Sequence, residues 1–474
     1  TCWLGPRVLP ARAAPGKTLQ WLLDDSTPPG EILSTHNTPI GRVDVVRASS
    51  SSGWSRNPRA RGADPPEQLH VLIDGEADTP VAQVGPDAPE GLDYLDYLPS
   101  SLVFALRRPE RVLVIGAGGG QDVLAALRHG AQRVDAVEVN PAIVRLMQGP
   151  LLEGSGRLYA RPEVRLIRAE GRSFVRTARG QYDVVELGLV DTWAATSTGG
   201  LSLTENFLYT TEAFEDYLRA LRPGGMLSVT RWLHRPPRET LRLAVLAVEA
   251  LRRTGAEEPG RHIAVVGVGR VGALLVASEP FSDDDLRRAA SLTAERRLDV
   301  HWAPAGEWPE DNAFEELMAA ASAGDFAEGY EYDVSPVGDD RPFYFDFNTP
   351  RGGSPLALLL DPRRAALSGS ATILAVLLQA TVLALILLVA PLVLRRVRIG
   401  AGGAPILAYF LLTGTAFMFV EVPLLQRLSL LVGHPSHAVA LVLGVLLGGS
   451  GIGALWSGRL LRESRGRAAA ALAV

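Results

Sequence analysis

Apolar positions along this chain follow two regimes. Over residues 104–280, short apolar runs alternate with stretches whose apolar positions recur every three or four residues. The runs at 111–115, 133–139, 164–168, 182–187 and 226–231 predict buried strands, and the stretches opening at Gln121, Pro141 and Thr211 predict amphipathic helices. Strands that alternate with helices imply a parallel, doubly wound sheet. Residues 262–268 and 271–278 then read as a β-hairpin. Upstream, 41–47 and 69–74 read as short strands within a β-rich region over 1–103, and 281–365 reads as an α-rich connector.

The second regime starts near residue 366. Residues 371–394 carry no charge, and such a helix reaches roughly 36 Å, enough for a hydrocarbon core of about 30 Å. Further apolar runs at 404–421 and 438–456 predict two more spans, the last rich in glycines that let helices approach closely. A re-entrant segment is open at 424–433, with Glu421 closing the second run. The expectation is a multi-pass integral membrane protein. Arginines at 395–398 and 459–467 leave its orientation open. The sequence starts at Thr1 and ends in an apolar stretch that reads as another span cut short, so a fragment is expected.

Composition narrows the chemistry. Of 474 residues, 21% are charged and the net charge is −5, with no long basic run, so nucleic acid is not an expected partner. Cys2 is the only cysteine, which excludes an internal disulfide and any multi-cysteine metal site.

The strongest candidate chemistry is a glycine loop, G-A-G-G-G at 116–120, placed between a strand and a helix. Glycines there let backbone approach a ligand, and the helix start offers free N–H groups. Glu138 ends the next strand and can accept both hydroxyls of a ribose. Gln121 stands where a dinucleotide fingerprint has its third glycine, so a nucleoside such as S-adenosylmethionine suits the loop better. A literal G-x-G-x-x-G at 267–272 is rejected because a strand, not a helix, follows it.

The ordered segments VLVIGAGGGQDVLAALRHG, VDAVEVNP, IRAEGRSFV, YDVVELGLVDTW, LTENFLYTTEAFEDYLRALRPGGMLSV and GALLVASEPF resemble those of spermidine synthases, over about residues 35–280. With DDRPFYF at 339–345, FMFVEVPLLQR at 417–427 and GHPSHA at 433–438, the whole resembles bacterial membrane-embedded spermidine synthase-like proteins. The resemblance implies a Rossmann-like α/β sheet of the S-adenosylmethionine methyltransferase type, closed by the C-terminal hairpin. It implies aminopropyl transfer from decarboxylated S-adenosylmethionine to putrescine, without a metal. Gly116, Gly118, Gly120 and Gln121 then correspond to the cofactor loop, Glu138 to the ribose-binding acid, and Glu170 with Gly171 to the adenine side. Asp191 matches the second aspartate of a D-x-x-D segment and Glu205 a following glutamate, while Tyr209 is a candidate substrate contact. Two positions depart from the pattern. The first D-x-x-D aspartate, the family's proton acceptor, is Gly188 here, and the loop aspartate that holds the donor's amino end is Gly119. Amine alkylation needs an unprotonated nitrogen, so an acid must take or orient its proton, and Asp191 and Glu186 are the local candidates.

The organisation expected is a β-rich region over 1–103, a nucleoside-binding domain over 104–280, the connector over 281–365 and transmembrane helices over 366–474. Expected partners are a small-molecule amine, the lipid bilayer and a second copy in a homodimer. The location expected is a bacterial inner membrane with the catalytic domain in the cytoplasm. Two other functions stay open: an S-adenosylmethionine-dependent methyltransferase of a small molecule or lipid, and a non-catalytic nucleoside-binding or transport-coupled protein. Asp339, Asp340 and Arg341 are expected to fix the domain at the membrane face.

Overall fold

Each central strand is apolar on both sides because helices cover both faces of the sheet it joins. The computed structural model describes residues 17–24, 26–38, 41–49, 56–85, 91–190, 204–348, 369–389, 403–432 and 435–463. The chain divides into two units, Thr1–Gln379 and Ala380–Val474.

The first unit holds two sheets. Strands β1 (Glu31–Thr38), β2 (Gly41–Arg47), β3 (Gln68–Ile73) and β4 (Ala77–Ala82) form an antiparallel meander in that order. The second sheet comprises β5 (Arg111–Ile115), β6 (Arg133–Glu138), β7 (Val164–Arg168), β8 (Tyr182–Leu187), β9 (Leu221–Trp232), β10 (Ile263–Val268), β11 (Val271–Ala277) and β12 (Asp299–Trp302). Its order is β12-β10-β11-β9-β8-β5-β6-β7. The five strands β5 to β9 run parallel, and β11 enters antiparallel against β9. Chain order therefore reverses between β5 and β8, and a ligand site belongs outside the carboxyl ends of those strands. This is the α/β architecture expected, with one extension: β12 pairs with β10 beyond the hairpin, so the sheet does not close at residue 280.

Alternation divides the core in two. Val112, Val114, Val184 and Met226 face one layer, built with the helices Leu102–Arg107, Gln121–Arg128 and Pro141–Met147. Leu113, Val185, Leu187 and Val229 face the other, against Thr211–Ala220 and Glu239–Arg253. Glu186 lies in register with Val114 on β5 and Ser228 on β9, so its carboxyl enters the first layer.

The 339–347 segment docks within this unit. Asp339 accepts from Arg172 and from the Thr210 hydroxyl at 2.7 Å, two buried residues of this unit. Arg242 is fully buried and donates to the carbonyls of Tyr344 at 2.6 Å and Asp346 at 2.7 Å, and also to that of Asp333.

In the second unit, the helices Gly403–Val432 and Pro435–Glu463 pack against each other and contain the apolar stretches Ala408–Leu425 and Ala438–Trp456, of mean hydropathy 1.6 and 2.2. Both are long and apolar enough to cross a bilayer. The first runs unbroken through Glu421 and Pro423, so residues 424–432 continue the helix and no re-entrant segment begins there. Gly369–Ala384 is also helical and passes into a π-helical turn, Leu385–Val389. The end of the expected 371–394 span lies outside the described residues.

Removing the Arg242 guanidinium leaves three carbonyls, one buried and two partly buried, without their donor. Arg242→Ala should destabilise the first unit by about 3–5 kcal/mol and open residues 333–346 to protease. Chemical denaturation with limited proteolysis checks this, and an unchanged midpoint would show that the clamp carries none of the stability.

Candidate active site

The loop after β5 turns three times through conformations that favour glycine, with φ of 75° at Gly116, 48° at Gly118 and 92° at Gly120. Gly120 also caps the helix Gln121–Arg128. Space is as restrictive as torsion. A Cβ at position 119 would stand 2.2 Å from the Pro80 carbonyl oxygen, and one at 118 would stand 2.4 Å from Thr79 Oγ1. Strand β4 therefore roofs the loop, with Thr79 Oγ1 accepting from the Gly119 N–H at 2.7 Å. No acid could stand at position 119 without moving β4. On the loop's other side, the Tyr159 hydroxyl donates to the carbonyls of Ala117 and Gly118.

Glu138 ends β6 and is buried beside this loop. Its Oε2 accepts from the Gly118 N–H at 3.0 Å and its Oε1 from the Asn140 N–H at 2.7 Å. Burial pushes its pKa up, while those backbone N–H bonds oppose the shift. Each oxygen keeps a lone pair, so the fixed carboxylate can also accept from two vicinal hydroxyls.

Glu170 follows β7. It caps the helix Gly171–Val175, accepting from the N–H groups of Arg172 at 2.8 Å and Ser173 at 2.7 Å. A Cβ on Gly171 would stand 2.4 Å from Ile115 Cγ2, so this turn packs directly against the end of β5. Glu138 and Glu170 thus close neighbouring strands at one edge of the sheet. Gln121, which opens the helix after the loop, is buried, and its Oε1 has no partner among the described residues.

A second group of acids lies under the loop. Glu186 is wholly buried, with Oε1 3.5 Å from Thr230 Oγ1 and Oε2 unpartnered. Desolvation, reinforced by the Asp122 charge, raises its pKa well above the usual carboxylate range. Asp122, in the first turn of Gln121–Arg128, accepts from Ser100 Oγ at 3.1 Å. Burial pushes its carboxyl up to about 6. Sequence reading did not single out Asp122. Its signal was an acid directly after the loop, which reads equally as a helix-start charge.

The other candidates scatter. Glu205 is exposed. Tyr209 is fully buried, its hydroxyl donating to the Val190 carbonyl at 3.2 Å and its ring packed between Arg231 and Tyr344. Asp191 lies outside the described residues. No group of three or more potential metal ligands gathers among the described residues.

This strand order, with a glycine turn after its first central strand and a backbone-anchored acid after the second, defines a doubly wound α/β domain with a candidate ligand site at its switch point. Residues 94–236 match the family model of the spermine/spermidine synthase domain. The chain is 28% identical over 134 residues to a polyamine aminopropyltransferase of Korarchaeum cryptofilum, covering 28% of this chain and 39% of that protein. It is 32% identical over 133 residues to polyamine aminopropyltransferase 2 of Hyperthermus butylicus, covering 28% and 41%. Putrescine N-methyltransferase 3 of Nicotiana tabacum is 28% identical over 151 residues, covering 30% and 36%. The chain thus spans less than half the length of these curated relatives. A probable spermidine synthase structure from Corynebacterium glutamicum is 17% identical, with a TM-score of 0.39 over 62% of this chain and 95% of that one.

Asp122 supplies a pH test. Its folded pKa lies above the ordinary 3.8, so the folded state holds a proton that the unfolded chain gives up, and stability falls as pH rises from about 4 through about 6. Asp122→Asn removes that term. Relative to wild type, the variant should gain on the order of 1–3 kcal/mol between pH 4 and pH 7.5. Unfolding measured at both values checks this, and a pH-independent difference would contradict the buried ionisation.

Proposed function

We propose that this chain is a membrane-anchored aminopropyltransferase that takes decarboxylated S-adenosylmethionine as co-substrate and alkylates a small amine such as putrescine, without a metal. The observation that carries the reading is the Gly118–Glu138 contact within a spermine/spermidine synthase domain. There a glycine loop and a fixed carboxylate meet as a nucleoside requires. In this reading Glu138 accepts the ribose hydroxyls, Gly116, Gly118, Gly120 and Gln121 line the thioether side, and Glu170 with Gly171 borders the adenine. Glu186 and Asp191 serve the amine, with Glu205 and Tyr209 nearby. Gly403–Val432 and Pro435–Glu463 anchor the chain in a bacterial inner membrane, with the domain on the cytoplasmic side, where the nucleoside is available.

A second reading, methyl transfer from S-adenosylmethionine to an amine, draws support from the likeness to a putrescine N-methyltransferase and from the closure of position 119 to any acid.

Calorimetry with both nucleosides, then mass analysis of products formed with putrescine, separates the two. The first reading expects tighter binding of the decarboxylated form and a product heavier by one aminopropyl group. Glu138→Gln should weaken nucleoside binding at least tenfold, since charge-assisted bonds of about 1.5–3 kcal/mol each are lost. The glutamine change keeps the side-chain volume and an acceptor for one of the two backbone N–H groups, where alanine would strand both the Gly118 and Asn140 N–H groups. Unchanged affinity would remove Glu138 from the site.

A further inference from the structure

Two carboxyl groups, those of Asp122 and Glu186, approach each other where β8 ends. A Cβ built on Gly188, the residue after β8, would stand 2.7 Å from Asp122 Oδ2. That oxygen therefore occupies the volume a side chain at 188 would take. Asp122 Oδ1 is held by Ser100 Oγ, while Oδ2 has no partner among the described residues. Two residues back along the same face stands Glu186, fully buried, with Oε2 unpartnered. Ser228, on the strand position in register with Glu186, is close enough to favour that acid's charged form only weakly, and Gln121 Oε1 is buried without a partner among the described residues.

This arrangement has a cost that structure alone does not repay. The chain carries 47 basic residues, yet neither Asp122 nor Glu186 forms an ion pair among the described residues. An acid pair of which one member is wholly buried and the other partly buried is unfavourable without a cation, and such pairs mark sites of function. The free groups are mostly acceptors. Their natural complement is a donor-rich cation, and a primary ammonium brings three N–H donors to a compact charge.

We propose that Asp122 binds the acceptor amine as its ammonium and takes its proton, with Glu186 beneath it as a positioning residue. The proposal rests on the sulfonium-dependent alkylation above. The ammonium gives one proton to Asp122 Oδ2, and the freed nitrogen lone pair forms a bond to the carbon attached to the sulfonium. The carbon–sulfur bond breaks, and its electron pair stays on sulfur as a neutral thioether. The product leaves as a secondary ammonium, and Asp122 releases its proton to water. Glu186, kept neutral by desolvation and by its neighbour, presents a hydroxyl without competing for the proton. The other titratable groups facing Asp122 are Tyr94 and Tyr159, whose hydroxyls burial holds neutral.

The proximity of residues 122 and 188 gives a direct test in the full-length protein. Asp122→Asn and Asp122→Ala should each lower kcat for putrescine at least 100-fold. Both should bind 5′-methylthioadenosine within threefold of wild type. The wild-type acid limb near pH 6 should be absent from the residual rate. The double change Asp122→Ala/Gly188→Asp returns a carboxylate to the same volume from the strand side; Gly188 does not use a left-handed conformation, so the residue is allowed. It should recover at least tenfold over Asp122→Ala and restore the acid limb. If the single variants turn over within threefold of wild type, or the folded, nucleoside-binding double variant is no faster than Asp122→Ala, the assignment is overturned while the transferase reading stands. If wild type transfers nothing from either nucleoside to any amine, the transferase reading itself falls, and this proposal with it.

Discussion

The backbone of the glycine loop is gripped from both sides, and the rest of the site follows from that grip. Thr79 holds the Gly119 N–H from above, and Glu138 holds the Gly118 N–H from the flank. Because β4 lies within contact of the loop's Cα atoms, positions 118 and 119 admit no side chain at all. The small meander is thus part of the site. It fixes the loop at the cost of any acid the loop could have carried, and polar function moves to the first turn of the helix behind it, where Gln121 and Asp122 stand.

Sheet order then decides which groups can meet. The reversal between β5 and β8 brings the loop, Glu138 and Gly188 to one edge. Below that edge, strand register sets Glu186 beside Ser228 in a predominantly apolar layer. A carboxyl there raises the energy of the folded state once it ionises. Elsewhere the same domain balances its buried charges. Glu239 holds Arg231 and His234, and this pairing with Arg231 keeps its carboxyl below the usual range despite burial. Arg172 is likewise satisfied by Asp216 and Asp339. The fold therefore supplies partners to these structural charges, while Asp122 and Glu186, at the switch point, have no cationic partner among the described residues.

Much of this was legible in the sequence. Strands β5, β7 and β8 were readable to the residue, because strands buried on both faces are continuous apolar runs bounded by turns. The glycine loop and Glu138 were legible because local spacing fixes both. β1 was not, since its E-I-L-S-T-H-N-T stretch is half exposed and mostly polar, nor was β4, which carries Pro80 at a position where proline usually argues against a strand. β12 has only four residues. The helix through Pro423 was hidden because a proline near a charge reads as a stop. Asp122 escaped for a different reason. Its significance lies in standing against Gly188, a contact across the sheet that no local pattern encodes.

On the proposed transferase reading, the same geometry bears on which alkyl group is transferred. Three carbons surround a sulfonium, and the one transferred is the one aligned with the incoming nitrogen at roughly 3–3.5 Å. Breaking the carbon–sulfur bond asks little of the protein beyond that alignment, because a neutral thioether is a good leaving group. Selectivity between methyl and aminopropyl transfer therefore rests on two placements: where the donor's chain is held and where the amine stands. The first cannot come from position 119, which β4 closes. The second falls to groups at the end of β8. On the assignment of Asp122 as the amine's acceptor, the acid reaches that point from the helix that begins at the loop. A single rigid turn then sets both the sulfur and the nitrogen, and displacing β4 by a fraction of an ångström would move donor and acceptor together.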